Sequence, residues 1–323
     1  MIVDVKQLQD LCQGVLTRGG LGEEDAHIVT DILVEAELRG RPAHGVIRLP
    51  AIVERCKSSG RKSMRLARDG GAYALIDGQE NLGYLVAHRC TRTAVGKAQT
   101  RGVGVIGGFN TGQCGMLGYY TSMIADAGMV GVAMCDSGPR IVPWGSVEPV
   151  LGANPMSACF PAGKGQVLVD FSPASVTHEQ ILMAIKDGHP LPEGTVLDAD
   201  GLLTTDPEAG RRGGILPSGG HKGYALALMI QLLSGVLVRA APVPEPGKNY
   251  GIFILAINSS IFLSRELFQA GVKELIDRLK GARPAEGVGE ILIPGERAFR
   301  EREMRMQEGI GVEDKLLDEL GSL

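Results

Sequence analysis

Aromatic side chains are scarce in this 323-residue chain, which holds one Trp, six Tyr and seven Phe. There is no aromatic stripe on which bases would stack, and no block of Lys and Arg beside one. Lys and Arg number 33 against 37 Asp and Glu, a formal net charge of −4. Together these features argue against nucleic acid as a main partner. No apolar run approaches the ~20 residues of a membrane span. The amino terminus MIVDVKQLQD turns polar at its fourth residue, unlike a secretory signal. The six cysteines, at 12, 56, 90, 114, 135 and 159, form no C-x-x-C and no zinc spacing. They read as reduced, small apolar side chains of a cytoplasmic protein.

What the chain has in excess is glycine, 46 residues with 17 prolines, about twice the usual glycine share of ~7%. No G-X-Y period accompanies it, which excludes a collagen-like chain. At roughly 150 residues per domain the length suggests two domains.

The opening stretch predicts two amphipathic helices. Asp4 is placed to cap the first, with Leu8, Leu11, Cys12, Val15 and Leu16 on one face and Gly19-Gly20 at its end. Ile28, Val29, Ile32, Leu33 and Ala36 carry the second, which ends near Arg39-Gly40. A turn-rich RPAHGVIRLP junction and a short helix around 52–56 follow. Strands are expected at 72–77, 103–107, 130–135, 167–171 and 252–257, and helices at 85–100, 116–127, 223–237 and 263–280. Strand–helix alternation of this length predicts an α/β sheet layered with helices. A charged helix ends the chain. The 240–250 stretch is expected to be an exposed loop, and 136–222, rich in Pro, Gly and Ser, to hold one strand only. The expected division is a helical unit at 1–70, joined by 282–323, an α/β unit at 71–240, and a remaining strand and helix of the same core at 241–281.

Gly102, Gly104 and Gly107 satisfy G-x-G-x-x-G, with Asp126 about 20 residues on. A dinucleotide fingerprint needs those glycines after a strand and at the start of a helix. Here they fall inside the strand, so close packing explains them better. The second glycine cluster, Ser218-Gly219-Gly220-His221-Lys222-Gly223, precedes an apolar helix. It suits an anion, held by backbone donors and the Lys222 ammonium, or else is an ordinary capping loop. His44 and Arg48 stand four apart in Pro42-Ala43-His44-Gly45-Val46-Ile47-Arg48. A helical turn would put both on one side. An imidazole exchanges protons near neutral pH and a guanidinium grips a carboxylate by two bonds, which suits reduction beside a carboxylate. A solvated helix start is the plainer reading of the spacing. Asp170 ends an apolar strand, where either a catalytic carboxylate or a helix cap would sit. The remaining histidines form no metal-binding pattern.

AHGVIRLP at 43–50, NTGQCGMLGYY at 110–120, GANP at 152–155, VDFS at 169–172, GGHKGYALALM at 219–229 and IPGE at 293–296 occur in fixed order. With these motifs the chain resembles the type-2 malate/L-lactate dehydrogenase family from about residue 5 to 310. That family also holds sulfolactate and ureidoglycolate dehydrogenases and reductases of cyclic ketimines. The resemblance implies a non-Rossmann mixed-sheet domain binding NAD or NADP, a helical domain made from both termini, and a homodimer with its active site near the interface. It implies that His44 is catalytic, that Arg48 meets the substrate carboxylate, and that Asp170 orients the histidine or contacts the cofactor. Ser137, Phe171, Ser172, Lys222, Gly223, Gly295, Glu296 and Arg297 fall where the family contacts the dinucleotide.

Four departures stand out. Ala43 replaces the usual serine before the histidine. Gln113 replaces a second catalytic histidine, and glutamine donates a hydrogen bond but supplies no proton at pH 7. FSPASVTHEQI at 171–181 replaces a segment that usually carries a G-K pair, and the loop after the 223–237 helix is short by about ten residues. The expected activity is hydride transfer between nicotinamide and the alpha carbon of a small carboxylated substrate, either a 2-oxo/2-hydroxy acid or a cyclic ketimine. The alternative, suggested by Gln113, is a homologue that binds cofactor or ligand without turnover. No metal is expected.

Overall fold

The structure, a computed structural model, describes residues 1–58, 62–163, 165–247 and 249–323. A short strand β1 (Ile2–Val3) leads into helix α1 (Val5–Arg18). The Asp4 carboxylate accepts the N–H groups of Lys6 at 2.8 Å and Gln7 at 3.2 Å, satisfying two of the helix's orphan donors. Helix α2 (Glu23–Leu38) places three acidic residues in its first turn, where the helix dipole favours them. Two 3-10 turns then lead to α3 (Leu49–Ser58).

The main sheet has seven strands. Their order is β2 (Arg65–Asp69), β3 (Tyr73–Asp77), β4 (Val103–Thr111), β13 (Tyr250–Ile257), β5 (Val130–Cys135), β8 (Met156–Pro161) and β9 (Gln166–Phe171). Only β3 and β4 run parallel, joined by α4 (Gly83–Arg101); every other pair is antiparallel. Helix α5 (Leu117–Asp126) packs on β5 and β8. The central strand, β13, thus comes from late in the chain. This is a mixed α/β sheet and not a doubly wound parallel one.

Gly104 and Gly107 lie within β4, as a packing role requires. A Cβ at Gly104 would stand 2.2 Å from the Ala94 carbonyl of α4. The glycine therefore sets how closely the helix lies on the sheet. Gly102 ends α4 and opens no helix.

One core runs without a break from Leu8, Leu16, Ile32 and Leu33 of the helical layer to Ile76, Ile106 and Ile254 of the sheet. The carboxyl-terminal elements return to the amino-terminal helices. Helix α10 (Glu296–Glu308) packs on α2, β14 (Ile310–Gly311) pairs with β1, and α11 (Asp314–Ser322) packs on α1. Helix α9 (Arg265–Lys280) lies at the periphery, with none of its residues fully buried.

The 136–222 region is more structured than its composition predicts. It adds a second, five-stranded sheet: β11 (Leu203–Thr204), β10 (Val196–Leu197), β12 (Gly214–Ile215), β6 (Pro139–Ile141) and β7 (Leu151–Gly152). It also holds β8 and the helices α6 (His178–Asp187) and α7 (Pro207–Arg212). Strands of two or three residues are too short to show alternation, so composition hid them. The charged strand β2 (RLARD) was hidden too. It is an edge strand, where exposed charge deters edge-to-edge pairing. It also brings 65–69 of the expected helical unit into the main sheet. The apolar helix α8 (His221–Gln231) begins two residues earlier than predicted and continues through a five-residue π-helical stretch, Leu232–Val236. The expected 240–250 loop connects this stretch to β13; Lys248 lies outside the described residues. Among the described residues no helix is long and apolar enough to cross a membrane.

Candidate active site

His44 ends the first 3-10 turn and Arg48 ends the second. The spacing predicted one helical turn; the chain instead breaks at Gly45 and resumes. The cause is Glu37 of α2. Its buried carboxylate accepts the Val46 N–H at 2.9 Å and fills the space beside Gly45, where a Cβ would lie 2.1 Å from Oε1. Glycine is thus the residue that fits at 45. Burial pushes the Glu37 carboxyl up to about 7, against the Val46 N–H and the Arg305 guanidinium, which both favour the charged form.

His44 and Arg48 line one cavity of about 490 Å³ with Gln113, Ser137 and Ser172. Burial lowers the pKa of His44; the Glu179 carboxylate opposes that shift, and Arg48 and Arg41 add to it. The Arg48 side chain donates from Nε to the Ala43 carbonyl at 2.6 Å and from Nη2 to Glu179 Oε1 at 3.3 Å. Gln113 is exposed and reaches the cavity from the end of β4. Cys114 beside it is anchored by the Tyr120 hydroxyl, which donates to its carbonyl at 2.5 Å. Ser137 and Ser172 grip the backbone of one residue from two sides: Ser137 Oγ accepts the Ala153 N–H at 2.9 Å, and Ser172 Oγ donates to the Ala153 carbonyl at 2.5 Å.

The other expected residues lie outside this lining. Asp170 accepts the Gly118 N–H at 3.0 Å in the first turn of α5, the helix-capping role that its position also allowed. Burial raises its pKa, and among the described residues it makes no hydrogen bond to His44. Phe171 is exposed beside Ser172. Lys222 is exposed in the first turn of α8, and Gly223 packs on Ser218 and the Pro173 carbonyl, next to Ser172. Gly295 packs on Leu168 and caps α10. Glu296 pairs with Lys280 at 2.7 Å and Arg300 at 2.5 Å and accepts the Ile293 N–H at 3.0 Å, which hold its carboxyl down at about 2. Arg297 is exposed on the same helix. Glu296 lines a second cavity, between the β8–β9 hairpin, α9 and α10.

The cavity also contains charged and polar groups that sequence reasoning did not single out. Asp136 follows β5 and accepts the Gly251 N–H at 2.6 Å; burial pushes its carboxyl up to about 7. Its place at the carboxyl end of a strand was the available signal. His178 and Glu179, from the first turn of α6, and Arg140, from β6, complete the wall. Nothing local marks Glu179, which is 131 residues from Arg48 in sequence.

A nicotinamide dinucleotide needs an apolar slot with polar groups for the amide and donors for its phosphates. The cavity offers the first, with Ile215, Val176 and Ile252 beside Ser137 and Ser172. Next to Ser172, the open turn at Gly219 and the start of α8 offer backbone donors and Lys222 for an anion. The residues present fit the group.

Known proteins resemble this chain over nearly its whole length. The family model described as malate/L-lactate dehydrogenase matches residues 3–321. The chain is 35% identical over 330 residues to the L-sulfolactate dehydrogenase of Methanocaldococcus jannaschii, covering 99% of this chain and 95% of that one. It is 30% identical over 335 residues to a Delta(1)-pyrroline-2-carboxylate/Delta(1)-piperideine-2-carboxylate reductase of Pseudomonas putida, covering 99% and 96%. The solved structure of the M. jannaschii sulfolactate dehydrogenase superposes with a TM-score of 0.92 at 34% identity, covering all of this chain and 96% of that one.

Proposed function

The chain belongs to the malate/L-lactate dehydrogenase family, and from that premise we propose that it transfers a hydride between NAD or NADP and the alpha carbon of a small carboxylated substrate. The observation that carries the reading is the shared cavity: a half-buried imidazole and a guanidinium, held four residues apart by Glu37, face the same space. When bound, the nicotinamide supplies or accepts the hydride. Arg48 grips the substrate carboxylate, a task suited to its fixed fork of donors. His44 exchanges the proton at the reacting oxygen or nitrogen; its lowered pKa keeps it near the neutral form, which accepts a proton in the oxidative direction. Gln113 orients the reacting group through its amide without supplying a proton. Ser137, Ser172, Lys222 and Gly223 form the cofactor side, with Phe171 beside them. Asp170 acts at a distance, by fixing the start of α5. Gly295, Glu296 and Arg297 bind the distal part of the dinucleotide from α10.

The relatives named above act on 2-hydroxy acids or on cyclic imine carboxylates, and both classes fit an Arg48 anchor. We also propose a homodimer. Leu228, Met229, Leu232, Val236 and Leu237 leave a run of exposed apolar side chains along α8, its π-helical continuation and the next residue, a surface suited to a second copy of the chain. Its six free cysteines, five of them buried, suit a reducing compartment such as the cytoplasm.

The test is spectroscopic. NADH and NADPH are each mixed with the protein and a panel of pyruvate, oxaloacetate, Delta(1)-pyrroline-2-carboxylate and Delta(1)-piperideine-2-carboxylate, and absorbance of the reduced nicotinamide is followed. Loss of absorbance with one class of substrate is expected. No oxidation of either cofactor by any member of the panel would favour a binding protein without turnover. Light scattering after size-exclusion chromatography reports the dimer.

A further inference from the structure

Arg48 already holds a carboxylate, and it belongs to the protein. Glu179 Oε1 lies 3.3 Å from Arg48 Nη2, and both side chains are about one-third exposed or less at the cavity wall. A substrate carboxylate that takes Arg48 must therefore share the guanidinium with Glu179 or displace it.

The backbone that carries Glu179 is held in place at the cavity. Glu179 occupies the first turn of α6, where the helix dipole favours a negative charge. That turn is fixed by a capping box: Thr177 Oγ1 accepts the Gln180 N–H at 3.1 Å, and Gln180 Oε1 accepts the Thr177 N–H at 2.8 Å. Two residues on, Ile181 is buried in the small core under the helix. Once Arg48 turns to the substrate, the Glu179 carboxylate loses its direct ion-pair partner, with Arg140 the other cation on the same wall. The segment that carries Glu179, 171–181, is one of the places where the chain departs from the pattern of the family it resembles.

We propose that Glu179 sorts substrates by charge, favouring a protonated cyclic imine carboxylate over a 2-oxo acid; this rests on the dehydrogenase reading above. In imine reduction the iminium carbon takes the hydride from reduced nicotinamide, the C=N π pair becomes the nitrogen lone pair, and the nicotinamide leaves oxidised. No proton is delivered in that step. The positive nitrogen, adjacent to the carbon that bears the carboxylate, provides the partner Glu179 loses when Arg48 takes the substrate. In 2-oxo acid reduction the same carbon takes the hydride, but the C=O π pair becomes an alkoxide that must gain a proton. Negative charge then grows in a cavity already holding the Glu179 carboxylate, which is repulsive in a partly desolvated site. Gln113 supplies no proton there, and His44 is the group assigned to do so.

The test compares kcat/KM for Delta(1)-piperideine-2-carboxylate and for pyruvate in the wild type, Glu179→Gln and Glu179→Asp, with melting temperatures confirming the fold. Calorimetry adds a readout apart from turnover, the affinity for a saturated cyclic amino acid against that for lactate. Glu179→Gln should lower imine kcat/KM roughly 10–100-fold, the range of a charge-assisted contact, and leave the pyruvate value unchanged or raised because Arg48 is freed. Affinity for the cyclic amino acid should fall by a similar factor while that for lactate does not, and Glu179→Asp should keep part of the preference. An equal change for both substrates, or an unaltered ratio, would overturn the proposal. Absence of turnover with either substrate in the wild type would instead overturn the dehydrogenase reading on which it rests.

Discussion

His44, Arg48 and Gln113 stand on a body whose continuous core joins Leu8, Ile32, Ile106 and Ile254, while His178 and Glu179 stand on a lobe cored by only Val176, Ile181, Leu191, Val196 and Ile215. The two halves of the cavity wall meet through the Arg48–Glu179 contact. The groups assigned to chemistry are thus built on the part that buries the most apolar surface. The group assigned to selection is built on a part with a much smaller core, and low local stability is usual for elements that must adjust to a ligand. The same lobe was the least visible in the sequence.

Four experiments test this contrast. The largest effect is expected on the body side of the site. His44→Ala should reduce the chemical step by roughly 10²–10⁴-fold with the preferred substrate; single-turnover rates at the wild-type value would remove the histidine from the proton exchange. Next is a pair of core truncations. Ile106→Ala should cost about 2–5 kcal/mol of global stability in denaturant melts. Ile181→Ala should instead mostly raise amide exchange in α6 and the lobe. Equal losses of global stability would show that the lobe is not separable from the body.

The third concerns pH. Glu37 has its pKa raised in the folded state, to about 7, so between about pH 4 and 7 the native protein binds more protons than the unfolded chain. Stability from this group is therefore full at low pH and is lost as pH rises through 7, by about 3 kcal/mol at most. Asp136 acts with the same sign. Glu37→Gln should flatten the fall in melting temperature between pH 5 and 8, leaving the part due to Asp136. An unchanged slope would mean that the carboxyl beneath the His44 turn ionises as it does in water. The smallest effect is on the lobe. Thr177→Ala removes half of the α6 capping box and should cost ~0.5–2 kcal/mol locally, seen as faster exchange in the first turn of α6. If Glu179 needs that turn, substrate preference should weaken as well.

Much of the body was legible because its elements are long and their patterns agree with burial. The β-branched runs at 103–107 and 130–135 and the 3–4 spacing of Leu8, Cys12 and Leu16 reflect one-sided or full burial, which fixes both period and residue type. The glycine fingerprint could be set aside for the same reason, since Gly104 sits where a strand pattern continues. The lobe and β2 could not be read, because two-residue strands have no period and an edge strand carries charge for a purpose unrelated to burial. His44 and Arg48 could be paired by their spacing of four, although two 3-10 turns broken at Gly45, and not one helical turn, bring them to the cavity. Nothing in the sequence could pair Arg48 with Glu179, because their contact depends on how the small lobe docks on the main sheet.

The sequence by itself determined the helical layer, most of the main sheet, the family resemblance, and a histidine–arginine pair beside a glycine. Those follow from local spacing and residue chemistry. Only the tertiary structure decided which expected residues share a cavity and which do not. It decided why position 45 must be glycine, with the Glu37 carboxylate filling the space of a side chain. It also decided that the built-in partner of Arg48 is an acidic residue from a distant helix. Contacts across 131 residues arise from chain closure and packing, and these leave no signature in neighbouring positions.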